Sequence, residues 1–133
     1  MFNIREIPMA QWEYALDSLG NLMVLERTRL WVGAKEQGYD SVAGPLPLIG
    51  MSVDTKGSDA PAIEVTLGEK DDLTTHFTHM IRHPIRVFLD ELDDGTPKCL
   101  WVDSQDATNT LVCFDVSLEP APGLRQLRVA TLD

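Results

Sequence analysis

The chain has 133 residues, 44% of them hydrophobic and 24% charged, which is the composition of one ordinary globular domain and excludes an intrinsically disordered or fibrous protein. Its formal net charge is −10, and its eleven Lys and Arg residues are scattered singly along the chain, so no cationic stripe forms to neutralise nucleic-acid phosphates or an anionic membrane surface. No unbroken apolar stretch, Leu22 to Leu25 among them, approaches the ~20 residues of a membrane-spanning helix.

The N-terminus, Met1-Phe2-Asn3-Ile4-Arg5-Glu6, lacks the basic start and apolar run of a secretory signal, and the expected location is cytoplasmic. Pro8 suits the first turn of a helix and Gly20 its end, and between them Met9, Trp12, Leu16 and Leu19 recur at helical spacing as one core-facing stripe. From Leu22 to Val32 the pattern becomes strand-like. Residues 33–44 carry three glycines and predict a loop with at most a short strand at Ser41-Val42-Ala43. A strand follows at Leu48 to Val53, then a polar turn over residues 54–61. Clean alternation of Ile63, Val65 and Leu67 marks the next strand, Ala62 to Leu67.

After an acidic turn at residues 68–72, Leu73, Thr75, Phe77, His79 and Ile81 line one strand face and Thr74, His76, Thr78, Met80 and Arg82 the other. Pro84 holds His83 extended and marks a bend before Ile85, Val87 and Leu89. Asp93-Asp94-Gly95 is a hairpin turn leading into Cys99-Leu100-Trp101-Val102, and a second hairpin symmetric about Asp106 would set Cys99 opposite Cys113 and Trp101 opposite Leu111. Residues 117–133 form a tail or an added edge strand. The whole, residues 1–133, is one α+β but mostly β domain: an N-terminal helix, then six to eight strands in a curled antiparallel sheet or small barrel.

The stretch Leu46-Pro47-Leu48-Ile49-Gly50-Met51-Ser52-Val53-Asp54 resembles a bacterial family known only as domain of unknown function 5335. The resemblance extends through Ile7-Pro8 with Trp12, the Ile63-x-Val65-x-Leu67-Gly68 strand, and Thr78-His79-x-Ile81-x-x-Pro84-x-x-Val87. It continues through Leu100-x-Val102-x-Ser104-x-Asp106 with Thr110-Leu111, and so covers most of residues 7 to 114. It implies a shared fold and a bacterial origin, and no activity.

The sequence offers few sites. His76, His79 and His83 are the densest group of metal-ligand types, but in a strand His76 and His79 project to opposite sides, so no metal site and no cofactor are expected. His79 is expected inside, neutral and hydrogen-bonded. Residues 90–95 superficially suggest a calcium loop, but Leu92 sits where an oxygen ligand is needed. Gly50-Met51-Ser52-Val53-Asp54 lacks the closing glycine of a nucleophile elbow. Cys99 and Cys113 have no C-x-x-C spacing and are expected as buried, reduced thiols. With a core and no reactive constellation, the chain is expected to be a non-catalytic cytoplasmic domain that binds a protein partner or self-assembles, without nucleic acid or membrane. The alternative is a small-ligand pocket or enzyme centred on His76, Thr78 and His79.

Overall fold

In the computed structural model, which describes residues 3–34 and 37–114, a first strand precedes the helix. The elements are β1 (Asn3–Ile7), α1 (Trp12–Leu22), β2 (Arg27–Ala34), β3 (Gly38–Asp54), β4 (Ala62–Leu67), β5 (Phe77–Arg82), β6 (Pro84–Glu91), β7 (Pro97–Ser104) and β8 (Thr108–Cys113). All eight strands join one antiparallel sheet in the order β1-β6-β7-β8-β2-β3-β4-β5. The curled antiparallel sheet with a single leading helix is therefore present, with its strand order open. The expected tail at 117–133 lies outside the described residues.

Proline 8 opens a short 3-10 turn over Met9–Gln11, and the α-helix proper starts at Trp12. Trp12, Leu16 and Leu19 form its buried stripe, as their spacing predicts. Full burial of each is worth about 1.5–3 kcal/mol. Gly20 does not end the helix, which runs on to Leu22. It lies inside because α1 crosses β3 there, where an added Cβ would come within 3.3 Å of the Met51 backbone and Cβ.

The described part of the presumed loop, 33–34 and 37–44, belongs instead to the β2–β3 hairpin, and β3 is a single strand of 17 residues. Its first part pairs with β2, its second with β4. At the change-over the register skips between Leu46 and Ala43, and Gly44, at φ +93°, passes so close to the Thr28 carbonyl that no side chain would fit. A second corner separates β5 from β6. His83 adopts a left-handed φ of 52° there, contrary to the extended conformation expected before Pro84, and its carbonyl accepts the Gln105 amide at 2.9 Å.

Three turns close with one local device: Asp72, Asp94 and Asp106 each accept the backbone N–H two residues on, from Thr74, Thr96 and Thr108 at 2.9–3.0 Å. Asp54 does the same for Lys56 and Gly57. The hydroxyls of Thr74, Thr96 and Thr108, with these backbone bonds, hold Asp72, Asp94 and Asp106 below the usual aspartate range, and the backbone bonds from Lys56 and Gly57 do so for Asp54.

Apolar side chains fill both faces of the central strands. The main core lies under α1 and includes Leu30, Leu48, Val65, Leu100 and Val112. On the opposite face Phe88, Cys99, Trp101, Leu111 and Cys113 form a second buried cluster, with Ile4, Trp31 and Tyr39 packed on it. Strands buried on both sides read as continuous apolar runs, which Cys99 to Val102 and Leu111 to Phe114 are. The β7–β8 register pairs Cys99 with Cys113 and Trp101 with Leu111, as the symmetric hairpin predicts. The expectation of reduced thiols is corrected: the two cysteines are joined by a disulfide across the strand pair, with a Cα–Cα distance of 4.2 Å. Spacing along the chain carries no sign of this, because the bond follows from register.

Candidate functional site

The three residues singled out from the sequence do not converge. Strand β5 begins only at Phe77, since residues 73–75 form a 3-10 turn, and His76 caps that turn with its Nε2 3.0 Å from the Glu69 carbonyl. Thr78 lies on the face away from the core and shares a 2.9 Å hydroxyl contact with Thr66 on β4. His79 faces inward opposite the fully buried Val65, and stacks on Phe77 at 6.4 Å between ring centres. It is half-buried, and among the described residues its ring forms no hydrogen bond, so the expected deep and bonded imidazole is corrected on both counts. The cause is topological: β5 ends the strand order and covers His79 from one side only. Burial nevertheless pushes its pKa below the ordinary histidine value. Among the described residues no group of three His, Cys, Asp or Glu side chains is placed to hold a metal ion.

The surface concavities lie elsewhere. A cleft of about 610 Å³ separates α1 from the β1–β6 end of the sheet, between Tyr14, Ser18 and Leu22 on the helix and Arg5, Ile7 and Leu89 on the strands. A second, of about 790 Å³, adjoins it around Leu22, Gly95 and Pro97 and continues past Leu25 and Leu92. Two smaller ones flank Gly50 and Pro61. His76, Thr78 and His79 line none of the four.

The first cleft arises from a second stripe on α1 and the turn before it. Ala10, Tyr14, Ser18 and Leu22 recur every fourth residue, beside the core stripe rather than on it, and small side chains at 10 and 18 leave room between helix and sheet. Tyr14 is 80% and Leu22 67% exposed, and Leu25 and Leu92 add to the same rim. Such a run of exposed apolar side chains around one cleft differs from the scattered exposure of an ordinary surface. The i, i+4 spacing was the available signal, masked in the sequence by the stronger core stripe. Arg5 donates to Glu91 at 2.9 Å at the sheet side of the cleft. On the opposite face of the same strands Arg86 grips Glu6 through both Nε and an Nη, which lowers the Glu6 pKa.

β1 is the end strand of the sheet and bonds to β6 alone among the described residues, so its other edge carries backbone donors and acceptors beside the cleft. The arrangement offers an apolar trough, a strand edge and an ion pair.

No helix among the described residues is long and apolar enough to cross a membrane. No curated protein and no solved structure matches the chain. The model of the family described as "Family of unknown function (DUF5335)" matches residues 3–121, and the chain belongs to that family.

Proposed function

We propose that this is a non-catalytic protein-interaction domain of the bacterial cytoplasm. Its partner presents an extended segment that adds a strand to the edge of β1 that no described strand pairs, and drops alternate apolar side chains between α1 and the sheet. One observation carries this reading: Arg5 and Ile7 of the edge strand and Tyr14, Ser18 and Leu22 of the α1 stripe line the same cleft. In strand addition the main chain supplies affinity and pockets for every second side chain supply specificity. The net charge of −10 selects for basic residues flanking the bound segment.

Panning displayed random peptides on the immobilised domain tests the reading, with Ser18→Trp as the variant that fills the cleft. Enriched peptides should alternate apolar residues, carry basic flanks and lose at least tenfold in affinity for the variant. Failure to enrich, or binding indifferent to Ser18→Trp, refutes it. Sedimentation over a range of concentrations separates the remaining outcome, in which the segment comes from a second copy of the chain.

A further inference from the structure

The disulfide does not stand alone on its face. The registers β2–β8, β8–β7, β7–β6 and β6–β1 place Arg29, Cys113, Cys99, Asp90 and Ile4 in one row across five neighbouring strands. Directly paired residues on one face of a sheet have Cβ atoms about 4.5–5.5 Å apart, so an arginine neighbours one cysteine and an aspartate the other. Asp90 is 1% exposed, and among the described residues neither of its carboxyl oxygens has a hydrogen-bond partner; the Nε of Arg29 is likewise buried without one among them. A buried acid without partners costs stability, and a structural cross-link alone has no use for it.

We infer that Cys99 and Cys113 are a redox-active dithiol/disulfide pair, with Asp90 as proton donor and acceptor for Cys99 and Arg29 as the cation that stabilises the thiolate of Cys113. The exchanging partner is a dithiol. One thiolate of the dithiol attacks Sγ of Cys113 and forms a mixed disulfide as the Cys99–Cys113 bond breaks. Sγ of Cys99 leaves with the electron pair and takes the proton of neutral Asp90. The second sulfur of the dithiol, having lost its proton to solvent, then attacks its own first sulfur and expels Cys113 as a thiolate beside Arg29. Two electrons have moved to the protein, the dithiol has become a disulfide, and Asp90 regains a proton from solvent. In the reducing compartment proposed above such a bond is transient rather than structural, which is the setting in which cytoplasmic disulfides occur.

The surroundings of Asp90 suit a neutral acid. Ile4 on β1 and Cys99 on β7 face it, and its burial raises its pKa. Lys98 opposes that rise and Glu91 adds to it. Arg29 acts at the far end of the row, over the face of Trp31 at 5.4 Å. The two cysteines are 1–2% exposed, so exchange passes through local opening of the β7–β8 pair and is slower than for a surface disulfide.

The test measures reduction of the native full chain by dithiothreitol between pH 5 and 9, with thiols trapped by alkylation and counted by mass, for the wild type and Asp90→Asn. Rates are expressed per dithiothreitol thiolate, which removes the reagent's own titration. The wild-type rate should then fall as Asp90 ionises, and reoxidation by oxidised dithiothreitol should restore the bond. Below the pH at which Asp90 ionises, Asp90→Asn should be at least about tenfold slower than the wild type, the low end of general-acid effects, and flat with pH. Arg29→Gln should shift the pH profile of Cys113 alkylation upward while leaving that of Asp90 in place. The proposal is overturned if the native bond resists tens of millimolar dithiol for days, if the thiols stay reduced in oxidised dithiothreitol, or if Asp90→Asn matches the wild type in rate and pH profile. Should Asp90→Asn not fold, a wild-type rate per thiolate that is constant with pH overturns it equally.

Discussion

Replacing Trp12 by Phe tests how the first strand is tied to the rest of the domain. Trp12 is 2% exposed, and its Nε1–H donates to the Ile7 carbonyl at 2.8 Å, so a single side chain fills the core beneath α1 and satisfies the last carbonyl of β1. Phenylalanine keeps an aromatic ring there but orphans that carbonyl, at about 1–3 kcal/mol. It also removes two ring carbons, worth roughly 0.8 kcal/mol each when buried. The expected loss is about 3 kcal/mol, or roughly 10 °C in Tm for a domain of this size. Urea unfolding followed by far-UV circular dichroism measures it, and hydrogen exchange should show the amides of β1 losing protection before those of β7. A loss below about 1 kcal/mol, or unchanged protection in β1, refutes the reasoning.

Three further outcomes follow from the geometry. His79→Ala should cost on the order of 1 kcal/mol, less than a fully buried ring would, and His76→Ala about 0.5 kcal/mol or less, compared by denaturant midpoints. Because burial depresses the His79 pKa, the folded state binds fewer protons than the unfolded chain. Stability is therefore present in full above the unfolded value of ~6.5 and should decline as pH falls through the lower folded value, a decline that His79→Gln should flatten. Nucleic acid should give no salt-dependent mobility shift at micromolar protein, given a net charge of −10 without a cationic cluster.

Much of the sheet was legible because its signals are local. Alternation at Ile63, Val65 and Leu67 gave β4 with its bounds, and symmetry about Asp106 gave the β7–β8 register down to the cysteine pair. Strand β3 was hidden because Gly33, Gly38 and Gly44 read as a loop, whereas the long strand uses Gly44 to pass against β2. β1 was missed because Asn3-Ile4-Arg5-Glu6-Ile7 has too few apolar residues to announce a strand. It is fixed by pairing to β6 and by the Trp12 bond, neither of which a local pattern encodes. The facing of His79 followed from alternation, but its depth depended on β5 being the end of the sheet. The cleft and the Arg29–Asp90 row are likewise products of strand order. Their residues lie far apart in the chain and carry no shared motif.

The position of β1 also constrains how the protein is made. Its partners run from Val87 to Glu91, so Asn3 must wait for a residue 88 positions downstream before its ladder can close. At roughly 5–20 residues per second on the ribosome, that delay is on the order of 4–18 s. Over this interval α1 and the β2–β5 meander can assemble from nearby contacts, while β1 has no edge to join. Formation of β6 creates that edge and lets β1 dock, so the pairing of the N-terminal strand waits for the second half of the chain.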